Sequence, residues 1–152
     1  MVIDATHFRG AFRTLAQGIN TMVAGHIAVK KQAMAVIAEF GKGNFDAPLA
    51  QLPGKKRFIN DTIEQVRANL KGLIAEMNRM SHEHEAGDID VVIDASRFHG
   101  DFHSMAQGIN AMVAGHIAVK KQAMAVIAEF GKGNFDAPLA QLPGKKRFIN
   151  DT

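Results

Sequence analysis

Between residues 58 and 86 the apolar positions fall at Ile59, Ile63, Val66, Leu70, Leu73, Met77 and Met80. The steps alternate four and three, the a/d stripe of a heptad helix whose seam packs against another helix. Polar residues such as Glu64, Gln65, Arg67 and Lys71 fill the remaining faces. Gly87 follows, a residue that terminates helices because it enters the left-handed conformation without a Cβ clash. The pattern predicts one helix over 58–86, with those seven residues as a seam for a second copy of the chain.

A second long helix is predicted from about 98 to 130. Phe102, Met105, Ile109 and Met112 run as a heptad. Continuing it places His116 in the seam, followed by Val119, Ala123, Val126 and Phe130. A step of four from Val113 instead places Ile117 inside, followed by Met124 and Ile127. Such an extra step is a stutter, which locally unwinds a supercoil. The stutter is preferred because Ile117 packs without needing a polar partner. The same choice recurs at His26 and Ile27, so these four residues mark candidate junctions between packing phases. A face this wide implies more than one partner helix.

Between the helices lie connectors. One reads GNFDAPL, from Gly43 to Leu49, and another GDIDVVI, from Gly87 to Ile93. Each glycine is followed at +2 by an apolar residue (Phe45, Ile89) and at +6 by a second (Leu49, Ile93). A third copy supplies Gly133, Phe135 and Leu139. Pro48 and Pro53 suit an extended course and would break a helix. Connectors of about 11–17 residues are too long to be idle loops. Two regularly placed apolar residues suggest that each lies in a groove and is anchored there. A connector of this kind joins parallel helices, where a short turn would force antiparallel ones.

The whole pattern repeats. Residues 2–62 realign on 92–152 with an offset of 90, differing at eight positions: 6, 7, 9, 11, 13, 14, 15 and 21. Residues 22–62 and 112–152 are identical. The period divides into two similar halves of roughly 45 residues, longer together than most solenoid repeats. Val91 stands where the period would place residue 1, so Met1 reads as an added start codon and the chain as a window on a longer array.

Composition narrows the class. Apolar residues make up 47% of 152, yet all ten aromatics are Phe. Ala, Ile, Val, Leu and Met dominate, which suits helix–helix packing. No apolar run reaches the roughly 18 residues of a membrane span, and Asp4, His7 and Arg9 interrupt any leader-like opening. The absence of cysteine excludes disulfides and thiolate metal sites. A net charge of +3, with basic pairs at Lys30-Lys31 and Lys55-Lys56 and an acidic stretch over 83–94, reads as solvated patches and not as a nucleic-acid footprint.

A glycine with apolar residues at +2 and +6, set between heptad helices in units of about 45–50 residues, resembles the HAMP domain. Concatenation resembles the poly-HAMP arrays of soluble methyl-accepting chemoreceptors and aerotaxis transducers. The stretch HIAVKKQAMAVIAEFGKGNFDAPLAQLPGKK carries that likeness most clearly, and alternating arrays of hybrid histidine kinases look similar. The resemblance implies an all-α fold of tandem units, each a parallel four-helix bundle formed by a homodimer, with continuous helices joining the units. It implies residues 1–25 as the C-terminal half of one unit, 26–72 and 73–115 as units, and 116–152 as the N-terminal part of another. Two departures stand out. The first helices lack the family's frequent proline, and KKRFINDT lacks a glutamate at the start of the second helix. Such units resemble internal array members more than membrane-adjacent ones.

The function implied is a cytoplasmic signal relay between sensor and output domains, without enzyme activity, cofactor, nucleic acid or direct membrane contact. The alternatives are an array in a sensor histidine kinase and a passive coiled-coil stalk. Breaks in every unit favour a two-state relay over a stalk. Other candidate chemistry is weaker. His82 and His84 alternate at a helix end and do not converge on one metal. His99 and His103 have ligand spacing, but Arg9 and Arg13 replace them in the other copy. His82-Glu83 matches a phosphoacceptor dipeptide without the rest of its motif. PGKK lacks the Ser or Thr of a phosphate loop. The Met residues sit at heptad spacing and serve as core fillers.

Overall fold

The computed structural model describes residues 2–151. Among them are three long α-helices and no strand: α1 (Gly10–Gly41), α2 (Arg57–Glu85) and α3 (Gly100–Gly131). Short 3-10 turns at Ala5–His7, Gly54–Lys56, Ala95–Arg97 and Gly144–Ile149 close the connectors. The helices read from the apolar spacing are present, with ends displaced by one or two residues.

The helix ends follow from the connector glycines. Gly43 has φ +83°, its N–H donates to the Phe40 carbonyl at 2.9 Å, and the Asn44 N–H donates to the Glu39 carbonyl at 3.0 Å. Gly87 has φ +103°, with the equivalent bonds from Gly87 to His84 and from Asp88 to Glu83. These two bonds satisfy carbonyls that a helix end otherwise leaves bare. Downstream, the Asp94 carboxylate accepts from the Ser96 N–H and Oγ, which starts the turn leading into α3.

Contacts divide the chain into a unit ending at Gly72 and a unit beginning at Leu73. The division falls inside α2, which is one uninterrupted helix. The core of the first unit is Val36, Phe40, Ala47 and Ile63, with Phe45, Leu49, Ile59 and Leu70 packed against it. Its connector runs backwards along α2. Asp46 meets Lys71 at 2.5 Å, the Ala47 carbonyl accepts from Arg67 Nη2 at 2.7 Å, and the Leu52 N–H donates to Asn60 at 3.0 Å. A connector that leaves the C-terminal end of α1 and descends to the N-terminal end of α2 makes the two helical segments parallel.

The second unit is built the same way from different residues. Its core is Leu73, Met80, Ile93, Phe98 and Ala106, with Ala95, Phe102, Ile109 and Val113 against it. As the connector advances, its partners on α2 descend. His84 meets the Val91 carbonyl at 2.7 Å, Arg79 the Val92 carbonyl at 2.8 Å, and Glu76 the side chain of Arg97 at 2.5 Å. Its partners on α3 descend too, from Lys121 at Asp90 to His103 at the Ala95 carbonyl. Here again the flanking helical segments point the same way.

Candidate functional site

The working parts of this chain are the connectors, the helix seams and the junctions between seams. Ile93, 1% exposed, is the largest fully buried side chain among the described residues and lies in the core of the second unit. Phe45 and Leu49 are half-buried against the core of the first. Ile89 is 39% exposed. Phe135 is 75% exposed although its surrounding sequence is identical to that of Phe45, and Leu139 is half-buried. At the first connector, Arg67 of α2 lies 5.0 Å from the Phe40 ring and donates to the Phe45 and Ala47 carbonyls, which holds that connector down.

Three further features were not read from the spacing. Leu52 and Leu142, nine residues after their glycines, are buried more deeply than the +2 and +6 residues of the same connectors. Phe98 closes the connector of the second unit inside its core. Most regular of all is an asparagine in each following helix or turn. The Asn20 amide accepts from the Ile3 N–H at 2.8 Å and donates to the Ile3 carbonyl at 2.7 Å. Asn110 does the same to Ile93 at 2.9 and 2.8 Å. Asn60 accepts from the Leu52 N–H and donates to the Ala50 carbonyl, and Asn150 treats Leu142 and Ala140 alike. A planar amide presenting one donor and one acceptor pairs an extended backbone as a neighbouring strand would. The sequence does hold a signal: Ile-Asn occurs at 19–20, 59–60, 109–110 and 149–150.

The second unit also buries a charge. Glu76 is nearly enclosed and pairs with Arg79 at 2.8 Å and Arg97 at 2.5 Å. The hydrogen bond from Arg79 is the main reason its carboxyl sits below the usual carboxylate range, with the Asp94 backbone and the Arg97 charge adding to it. His84 and His103 spend a ring nitrogen each on connector carbonyls. His82 and His99 lie exposed.

At the junctions, His26 and His116 are exposed. Ile117 is half-buried and, with Val92, Asn110, Val113 and Lys121, lines an open groove beside the connector. Ile27 lines the matching groove with Val2, Asn20, Val23 and Lys31. Along the α2 seam, the chain buries Ile63, Leu73 and Met80 and half-covers Ile59 and Leu70. Val66 and Met77, in the same a/d stripe, remain 38% and 40% exposed.

Two family models match. One, described as HAMP N-terminal domain 3, covers residues 29–71 and 119–152. The other, the second HAMP domain of the methyl-accepting chemotaxis protein McpB, covers residues 65–115. The chain is a tandem array of HAMP domains. The two matches alternate along the chain and overlap at residues 65–71, which lie within α2. A curated relative, the methyl-accepting chemotaxis protein McpB of Pseudomonas aeruginosa, is 34% identical over 127 residues, covering 76% of this chain and 19% of the relative. The chain thus spans about a fifth of that protein. Family and relative together support a signal-relay module of chemoreceptor type. No helix among the described residues is long and apolar enough to cross a membrane.

Proposed function

We propose that this HAMP array carries conformational change from a sensor domain to an output domain of a methyl-accepting transducer, working as a parallel homodimer. The observation that supports it most is the double membership of α2. The two family matches share residues 65–71, and these lie within a single helix. A rotation or shift of that helix cannot be confined to one domain. It changes the packing of Ile59, Ile63 and Leu70 on one core and of Leu73 and Met80 on the other.

The exposed half of the seam supplies the case for a dimer. Val66 and Met77 alternate with buried neighbours, and Phe12, Leu15, Met22, Met34, Met105, Met112 and Met124 are exposed at matching positions on α1 and α3. Burying a large apolar side chain contributes roughly 1.5–3 kcal/mol before entropic losses. A second copy, arranged with each HAMP domain as a four-helix bundle, covers all of these stripes at once.

Relay in this reading is an exchange of packings at the junctions. His26 or Ile27, and His116 or Ile117, take the seam position in the two states. An upstream domain need supply only the free-energy difference between them. Catalysis, cofactor, nucleic acid and membrane insertion have no part in it, and the array works on the cytoplasmic side. Cysteines placed one at a time along 112–127 of the complete transducer test the exchange. His116→Leu and Ile117→Asn should both shift the crosslinking pattern toward the continuous heptad and hold output in one state. Unchanged crosslinks with output still responsive would make the array a passive stalk.

A further inference from the structure

The two complete connectors are fastened differently. In the first unit the polar bonds of the connector run forward, to α2. Asp46 pairs with Lys71 at 2.5 Å, the Phe45 and Ala47 carbonyls accept from Arg67, and Asn60 bonds both the Leu52 N–H and the Ala50 carbonyl. Among the described residues, no side-chain hydrogen bond or ion pair joins residues 45–53 to α1. What meets α1 is apolar. The Phe45 ring stands edge-on to Phe40 with centroids 5.7 Å apart, and Ala47 shares the core of Val36 and Phe40. Farther along, an open groove separates α1 from the connector, with Gln32, Ala35 and Glu39 on one wall and Pro48 and Ala50 on the other. The third connector leaves the same open groove against α3, between Gln122, Ala125 and Glu129 and the stretch from Ala137 to Ala140.

In the second unit the connector is tied to the helix before it as well as to the helix after it. Backwards, the Val91 carbonyl meets His84 at 2.7 Å, the Val92 carbonyl accepts from Arg79 at 2.8 Å, and Arg97 meets Glu76 at 2.5 Å. Forwards, Asn110 bonds both the N–H and the carbonyl of Ile93, His103 meets the Ala95 carbonyl at 2.7 Å, and Lys121 pairs with Asp90 at 3.3 Å. The two kinds of fastening resist displacement unequally. Apolar burial has no preferred direction, so apolar surfaces slide past one another with little loss. A hydrogen bond weakens steeply once it is bent. Parting Glu76 from its arginines would also leave a nearly enclosed carboxylate uncompensated. We propose, resting on the relay reading above, that the two HAMP segments divide the work. The segment matched at 29–71 yields, its first helix shearing against a connector that travels with α2. The segment matched at 65–115 is braced and hands movement on as one body. Glu76, Arg79 and His84 are the positioning residues that form the brace.

The chain has no cysteine, so label pairs can be placed cleanly at exposed sites. Spin labels on Gln32→Cys and Ala50→Cys span the groove of the first unit, and labels on His82→Cys and Val92→Cys span the matching face of the second. Labelled chains diluted in excess unlabelled chain report the distance within one chain by double electron–electron resonance. The first pair should give a broad distribution and the second a narrow one. Arg79→Ala and, independently, His84→Leu should broaden the second and leave the first as it was. Equal widths for the two pairs overturn the proposal, as does a second distribution that stays narrow in the variants. Should one variant lose the parent's circular dichroism, the other is read alone. In the complete transducer, a short bis-maleimide joining the first pair should hold output in one state, and one joining the second pair should leave output responsive. Loss of response with both staples, or with the second alone, overturns the proposal. Equal widths with an output silenced by the first staple defeat this division of work and leave the relay intact. The expected widths with an output indifferent to both staples defeat the relay reading, and the division of work with it.

Discussion

Ile93 and Asn60 show what a single side chain does in this fold. Ile93→Ala truncates a large, fully buried side chain and should cost about 2–5 kcal/mol. Leu49→Ala, at a half-buried site, should fall near the low end, and exposed Gln51→Ala should change little. Thermal melts of the three variants check this order. Asn60→Ala leaves the Leu52 N–H without its partner in a buried setting, at a cost of about 1–3 kcal/mol. Asn60→Asp keeps an acceptor for that N–H but loses the donor to Ala50, and should recover part of the loss. Glu76 gives a pH dependence with a definite sign. Its folded pKa lies below the ordinary 4.5. The stability it contributes is complete above that value and is lost as pH falls through the lower folded value. Acid unfolding of Glu76→Gln should therefore show a shallower dependence on pH over that window than the parent. Equal slopes would mean that Glu76 is not held by its arginines in solution. The apolar anchors were partly legible because they recur at fixed distance from a glycine. Leu52 was not legible because its position has no apolar counterpart in the other connector type, where Ser96 stands nine residues after Gly87. The asparagine clamps escaped because a hydrogen bond to an extended backbone has no periodicity of its own.

At the scale of elements, the helices were the most legible part, since a heptad sustained over residues 59–80 has no competing reading as strand or loop. The connector course was less so. Its direction along α2 and α3 is fixed by pairs far apart in sequence, such as Asp46 with Lys71 and Asp90 with Lys121. Charged surface residues give no hint of such partners in advance. The bends themselves depend on glycine conformation. Gly87 stands at φ +103°, where a Cβ is strained even though the space around it is open. Gly87→Ala should cost about 1–2 kcal/mol or more. Gly18→Ala, inside α1 and with open space around it, should instead raise stability by about 0.5–1 kcal/mol. Denaturant midpoints of the two variants, moving in opposite directions from the parent, check the assignment of bend and helix interior.

For the whole molecule, sedimentation over a concentration series should give a dimer at micromolar concentration, because the exposed heptad faces of α1, α2 and α3 otherwise stay wet. A folded monomer there would remove the basis for the bundle. The way each connector doubles back along its own neighbours has a further result, in time instead of space. The side-chain bonds that tie connector to helix join residues no more than 31 positions apart. Folds made of such short loops close quickly, because little chain entropy is lost before contacts form. Synthesis proceeds at about 5–20 residues per second, whereas helices form in about a microsecond. The first unit can thus be complete on the nascent chain while the second is still inside the ribosome, and the meeting of two chains becomes the last and slowest event. Refolding should accordingly show a fast phase that is independent of concentration, followed by a phase whose rate rises with it.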